Sequence, residues 1–389
     1  MNVCLLSDAI QPPLTGIGRY AFELASGLNT HPDITRLELL SYRGSERSAD
    51  MQARCAAAED AGSRSGERAW QAFLSRSRAW LIDRKAVSGA YEFVQNWQYQ
   101  RALAHRTNWV IHGPNYHLPN GYPRGNASVV TVHDLSTELF PQWHPDQRVE
   151  RMKHVLRSAI TRADLILVDA ASTASDLIER FQIPSTKIVA IPLGVDAIFS
   201  ELPLSLPRRH TLCVSTVEPR KNIGALLSAY QALPAAVKQE YPLLLVGGYG
   251  WKSEATHHQI EECASQGWLK YLGYVPQTEL LRLYACARLV VYPSLHEGFG
   301  LPVLEAMAAG CRVVAGNHSS IPEVAGGLAH LVNVRHSAEL THAIEQALEQ
   351  NWNATEASAR RVHASQFTWR STVEKTTEAY RTALEHVRN

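Results

Sequence analysis

Glu297-Gly298-Phe299-Gly300-Leu301-Pro302-Val303-Leu304-Glu305 sets two carboxylates eight residues apart around a Gly-Phe-Gly turn and a proline. The apolar run Leu289-Val290-Val291-Tyr292 stands just before it and reads as a buried strand. Pro302 suits the first position of a helix, where its missing N–H costs nothing. The stretch is therefore strand, glycine loop and helix, with Glu297 in the loop and Glu305 about one turn inside the helix. Free N–H groups at such a helix start suit a phosphate. Carboxylates beside it would repel a phosphate but accept hydrogen bonds from a vicinal diol, such as a ribose or hexose. Together these parts describe a sugar-nucleotide site. Taken singly, each acid also reads as an ordinary turn or helix-start residue.

Glu218-Pro219-Arg220-Lys221-Asn222 follows another apolar run, Thr211–Thr216, and precedes a helical stretch from Ile223 to Leu233 that Asn222 can cap. Arg220 and Lys221 then lie at a strand end beside a helix start, where a diphosphate gains two cations and oriented N–H groups.

These two motifs, in this order, resemble the retaining glycosyltransferases of family 4. Glu297 to Glu305 matches their E-x7-E signature, and residues 218–222 match their E-P-R-K-N segment. The resemblance spans nearly the whole chain and is weakest from about residue 44 to 110. It implies the α/β fold called GT-B: two Rossmann-like domains facing across a cleft, with a C-terminal helix crossing back to the N-terminal domain. It also implies that Arg220 and Lys221 hold and neutralise the donor diphosphate. Glu297 is expected to hold hexose hydroxyls, Glu305 the ribose diol, and His133 the transferred sugar. Many relatives carry a further arginine where Ser215-Thr216 stands here, so Arg220 and Lys221 carry more of the charge.

The rest of the chain fits that expectation. At 389 residues, two domains are the prior. Strand-like runs (Asn2–Ser7, Leu37–Leu40, Trp109–His112, Ser128–Val132, Leu165–Val168) alternate with helical patterns such as Arg148–Arg162 and Ser172–Phe181, as in a parallel sheet covered on both faces. Pro242–Val246, Leu269–Leu272 and Arg312–Ala315 continue the pattern in the second half. Leu202 to Pro207 reads as a linker. The expected domains are an acceptor-binding domain over 1–201, a nucleotide-sugar domain over 209–368 and a crossover helix over 369–389.

Gly16-Ile17-Gly18-Arg19-Tyr20-Ala21 satisfies G-x-G-x-x-A, yet Asp8 to Thr15 separate it from the first strand, whereas a dinucleotide turn follows its strand at once. Gly16 and Gly18 read instead as a flexible loop at the cleft mouth; the resemblance implies that this loop approaches the diphosphate and the acceptor. His133 ends the strand Ser128–Val132 and is expected to face the cleft. His112, Asn115 and Tyr116 form a second strand-end loop and are the acceptor-side candidates. Gly248, in Gly247–Lys252, is a donor-side candidate, since glycine lets a backbone approach a ligand closely. Similar segments in relatives that use GDP-mannose or a related GDP-sugar are the one clue to the donor. Gly298, Phe299, Gly300 and Leu301 complete the expected donor loop.

The formal net charge is +1, which gives no basic field for nucleic acid. Six cysteines stand without a C-x-x-C, and Cys4, Cys213 and Cys311 lie in apolar runs, as buried thiols do in a reducing cytoplasm. No apolar run approaches the ~20 residues of a membrane span, and Met1 to Asp8 is too short for a signal sequence. Trp70, Phe73 and Trp80 interleave with Arg76, Arg78, Arg84 and Lys85. That segment suits either an anionic membrane surface or an amphipathic helix packed on its own domain. No D-x-D occurs, so no paired-aspartate metal site is visible, and no cofactor or metal ligand set is expected. The reading is a metal-independent hexosyltransferase, cytoplasmic, passing mannose or a related GDP-linked sugar to a saccharide or lipid-linked saccharide. Its rivals are a non-catalytic sugar-nucleotide subunit and a sugar-nucleotide epimerase of related fold.

Overall fold

The computed structural model describes residues 1–12, 14, 16–42, 44–62 and 85–388. The aromatic-basic segment from Trp70 to Lys85 lies outside them, Lys85 excepted. Among the described residues no helix is long and apolar enough to cross a membrane.

Among the described residues two sheets form, each with helices on both faces. In the first, seven strands take the order β3-β2-β1-β4-β5-β6-β7: β1 (Asn2–Leu6), β2 (Arg36–Ser41), β3 (Gly44–Glu46), β4 (Trp109–Gly113), β5 (Ala127–Val132), β6 (Leu165–Val168) and β7 (Ile188–Ala190). Only β3 is antiparallel. In the second, six parallel strands take the order β10-β9-β8-β11-β12-β13: β8 (His210–Val214), β9 (Leu243–Val246), β10 (Leu269–Gly273), β11 (Ala287–Tyr292), β12 (Arg312–Gly316) and β13 (His330–Val332). The central strands β4, β5, β6, β11 and β12 are buried along their whole length, as a sheet covered on both faces requires. The order reverses beside β1 and beside β8, the points outside the carboxyl ends of the strands where open α/β sheets bind ligands.

The last helix, Trp369–Arg388, crosses back to the first domain. Its Val373 sits where a side chain at Gly27 would collide, and Thr372 donates to the Pro192 carbonyl at 2.8 Å. One continuous core joins Leu24 and Val129 of the first domain, Leu304 and Met307 of the second, and Tyr380 of the last helix. Phe199 and Tyr284 meet edge to face at 5.4 Å within it. Two expected local features differ. Gly16 is no loop residue but opens the helix Gly16–Thr30, and Gly18 is buried in its first turn. Asn222 does not cap the following helix through its side chain; it takes a left-handed turn (φ 55°), and its amide donates to the Val334 carbonyl at 2.9 Å.

Candidate active site

Strands β8 and β11 are parallel neighbours, so the loops after them leave the same edge of the sheet. That adjacency joins the two motifs. The loop after β8 forms a tight 3-10 turn, Pro219–Lys221, which turns Arg220 and Lys221 toward the loop after β11. Arg220 Nη1 donates to Glu297 Oε2 at 2.8 Å, and Lys221 Nζ to Glu297 Oε1 at 2.5 Å. Tyr292, at the end of β11, donates to the same Oε1 at 2.9 Å, and the Ser294 hydroxyl donates to it too. Glu218 takes the other end of the guanidinium, Arg220 Nη2, at 3.0 Å.

Burial alone would raise the Glu297 pKa; the Arg220 and Lys221 charges outweigh it and hold the carboxyl at about 2. Burial also lowers Lys221, as does the Arg220 charge beside it, with Glu297 opposing. The expectation that Glu297 holds hexose hydroxyls is thereby narrowed to one of its two oxygens. Its Oε1 is fully occupied by protein donors, and Oε2 alone keeps spare accepting capacity beside Arg220.

The two domains touch across the cleft at this point. Asp134 lies 3.9 Å from Arg220 Nη1. A side chain at Gly298 would stand 1.8 Å from the His133 carbonyl, so only glycine permits the approach. Glu323, from the helix Ile321–Ala325, accepts from the N–H groups of Ala171 and Ser172 at 2.8 Å each, capping the helix Ala171–Phe181 of the other domain. Trp251 Nε1 donates to the Trp143 carbonyl at 2.9 Å.

His133 is at the cleft edge, but both its ring nitrogens are in use: Nδ1 donates to Asp169 at 2.7 Å and Nε2 to the Pro114 carbonyl at 2.9 Å. Burial opposes its protonation, while the Asp169 carboxylate and that hydrogen bond favour it, for a net rise. A sugar contact through the ring, as expected from the sequence, would require one of these bonds to open.

On the donor side, Gly300 takes φ 106° and Leu301 opens the helix Leu301–Ala308, with Pro302 second rather than first. The Leu301 side chain faces Gly16, so two helix starts confront each other across the cleft. Glu305 Oε2 accepts from the Tyr284 hydroxyl at 2.9 Å. Burial pushes the Glu305 pKa up to about 7, with the Tyr284 bond opposing. The Phe299 side chain is buried in the core and edge-on to Phe367 at 6.1 Å, so it offers a donor only its backbone. Gly247 and Gly250 are packed against the carbonyls of Ser215 and Val217, whereas Gly248 faces open space.

His112, an acceptor-side candidate, offers no free ring nitrogen. It is wholly buried, with Nδ1 2.7 Å from the Tyr380 hydroxyl and Nε2 2.8 Å from Thr131 Oγ1. Burial lowers its pKa to about 3, and the neutral ring pins the crossover helix to the first sheet. Asn115 and Tyr116 do line a cavity of about 440 Å³, with His117, Arg151, His154 and Arg162 around it. Asn115 Oδ1 and His117 Nε2 are buried there without partners. The Tyr116 hydroxyl accepts from the Asp134 N–H at 2.8 Å, linking this loop to the cleft.

Sequence reasoning assigned no site role to Tyr292, Ser294, Asp134, Trp251, Glu323 or His144. Asp134 adjoins His133 and Tyr292 ends a marked strand, so position was a usable signal for both. His144 gives none. Both its ring nitrogens are buried and unpartnered, and burial together with the Arg148 charge lowers its pKa to about 4.

Residues 14–198 match the family model for Glycosyltransferase Family 4, and residues 195–364 match that for Glycosyl transferases group 1. The O-antigen chain mannosyltransferase B of Escherichia coli is 34% identical over 98% of this chain and 100% of its own. The serotype-specific mannosyltransferase WbdA of Escherichia coli is 32% identical over 58% of this chain, a match that spans 29% of its length. Among solved structures, sucrose-phosphate synthase from Thermosynechococcus elongatus superposes with a TM-score of 0.68 at 18% identity, covering 98% of both chains. Anabaena HepE in complex with UDP gives 0.65 at 17% identity, covering 98% of this chain and 100% of that one. At those identities the likeness concerns the GT-B fold.

Proposed function

The chain belongs to the glycosyltransferases of family 4, and on that premise we propose that it transfers a mannosyl residue from GDP-mannose to a growing saccharide of the O-antigen kind. Transfer retains the anomeric configuration and needs no metal ion. The observation that carries this reading is the pair Arg220 and Lys221, held on one carboxylate at the cleft edge of β8 and β11.

Without donor, these two cations face three carboxylates, Glu297, Glu218 and Asp134. A diphosphate entering beside the helix start at Leu301 competes for them. As the glycosidic bond breaks, charge grows on the departing nucleoside diphosphate, and preorganised cations there stabilise the transition state more than the ground state. Glu297 keeps both cations in place and retains one accepting site, on Oε2, for a hexose hydroxyl. A carboxylate held at a pKa of about 2 by two cations is a poor nucleophile. That favours front-face attack by the acceptor hydroxyl, with the leaving diphosphate taking its proton. Glu305 holds the ribose diol. The cavity beside Asn115 and His117 receives the acceptor, whose hydroxyls would satisfy their unpartnered atoms.

A thermal-shift comparison of GDP-mannose with other nucleotide sugars tests the donor. A ligand at ~100 times its dissociation constant stabilises by about 2.7 kcal/mol. A UDP-sugar that stabilises where GDP-mannose does not would overturn the assignment.

A further inference from the structure

Strand β12 runs from Arg312 at one edge of the second sheet to Gly316, packed on the Ser294 carbonyl beside the candidate active site. At the Arg312 end lies a separate cavity of about 300 Å³. Arg312, Arg360, Glu356, Gln350 and His330 line it, with residues 327–329.

Arginines converge here without matching carboxylates. Arg312 and Arg360 are buried, and Arg288, beside Arg312, is buried too. Arg361 and Arg208 adjoin one another next to Cys311. Among the described residues the one acid that pairs with this group is Glu356, 3.5 Å from Arg312 and 3.7 Å from Arg360, and its own side chain is half exposed.

Part of the cluster has a structural explanation. Arg288 and Arg312 donate to the carbonyls of Ala347, Leu348, Gln350 and Asn351, at the end of the helix Ser337–Glu349. Cations suit that negative helix end. Arg208 stacks on Trp352 at 4.2 Å. The cluster as a whole still falls short of acceptors: the Nε atoms of Arg208, Arg288, Arg360 and Arg361 are all buried with no partner. Arg360, 94% buried, has besides Glu356 at 3.7 Å one long carbonyl contact, 3.4 Å to Gly310. Burial, then the Arg312 charge, lowers its pKa. A buried guanidinium left short of acceptors costs stability unless an anion satisfies it.

We propose that this cavity binds a small phosphomonoester, with Arg360 and Arg312 as its cationic contacts, on the side of the domain opposite the donor site. An arginine fork matches phosphate oxygens bidentately, and the volume leaves room for a group beyond the phosphate. Glu356 competes with such a ligand. The site also abuts the interdomain linker: Arg361 donates to the Leu202 carbonyl, and Gly310 packs against Leu204.

The test is calorimetric titration of the full chain at low ionic strength with inorganic phosphate and with glycerol 3-phosphate. An Arg220→Ala, Lys221→Ala background removes binding at the donor site. Binding of either probe should persist in that background. Arg360→Gln should then weaken it by at least about tenfold, and Glu356→Gln should strengthen it several-fold, because one change removes a charge-assisted contact and the other a competing carboxylate. If Arg360→Gln does not fold, the half-exposed Glu356→Gln decides alone. Loss of all binding in the Arg220, Lys221 background, or unchanged affinity on Glu356→Gln, would overturn the proposal.

Discussion

Arg220 Nη1 lies 2.8 Å from Glu297 Oε2, and the same carboxylate is also the acceptor for Lys221. One buried acid thus places both cations of the candidate active site. Removing one partner of a buried ion pair commonly costs about 3–5 kcal/mol, because the other charge is left uncompensated. Glu297→Gln should therefore lower stability by an amount in that range and reduce kcat, with Arg220 and Lys221 both misplaced. A folded Gln variant with wild-type kcat would show that the cations hold their positions without it.

The same group sets an acid limit. The Glu297 pKa is held at about 2, below its ordinary value of 4.5. The unfolded chain binds the proton more readily, so the stabilisation is fully present above about pH 4.5 and fades as pH falls toward 2. The stability gap between wild type and Glu297→Gln, measured by denaturant unfolding, should narrow over that window. A gap independent of pH would contradict the ion-pair assignment.

Glu305 runs the other way. Its pKa is raised from 4.5 to about 7 by burial. The native state then holds a proton that the unfolded chain has lost, so stability falls as pH rises from about 4.5 to 7 and levels off above. At about 1.4 kcal/mol per pKa unit the change amounts to roughly 3 kcal/mol at most. Glu305→Gln should remove that slope. GDP affinity should rise between pH 6 and 8 in the wild type, since the ionised carboxylate is the better acceptor for a ribose diol. It should stay flat in the variant. Equal pH profiles for both proteins would dissociate Glu305 from the ribose.

His112 and Tyr380 offer a contrast between structure and chemistry. Their 2.7 Å bond ties the crossover helix to β4. Tyr380→Phe leaves a buried histidine nitrogen unsatisfied, a loss of about 1–3 kcal/mol. Unfolding midpoints should drop while KM for the acceptor stays unchanged. A raised acceptor KM at unchanged stability would return this loop to the acceptor site through His112.

Most of the fold was legible because buried parallel strands announce themselves as apolar runs, and ten of the strands follow such runs. The strands β3, β7 and β13 did not, since each is a three-residue edge strand with no buried position. Arg220, Lys221, Glu297 and Glu305 were each visible in local motifs. That Glu297 grips both cations was not, because the contact joins residues 76 and 77 positions apart through the pairing of β8 with β11. The burial of His112 was missed for a similar reason. A strand-end histidine looks available until a helix 268 residues later covers it. Gly16 and Gly18 were misread locally, because glycines suggest a loop where tertiary contacts support a helix start.

If charge on the departing diphosphate is stabilised chiefly in the transition state, Arg220→Ala and Lys221→Ala must lower kcat more than they raise KM for the donor. Steady-state kinetics would reassign either residue to ground-state binding if its KM alone rose.

The central claim is metal-independent, retaining transfer of a mannosyl group by these residues. It is tested most directly by NMR of the purified protein with GDP-mannose, a saccharide acceptor and excess EDTA. The account predicts one GDP released for each mannosyl linkage formed, the anomeric configuration of the donor kept in the product, and loss of both signals in the Arg220→Ala, Lys221→Ala variant. An inverted linkage, or turnover that EDTA abolishes and Mg²⁺ restores, would contradict it.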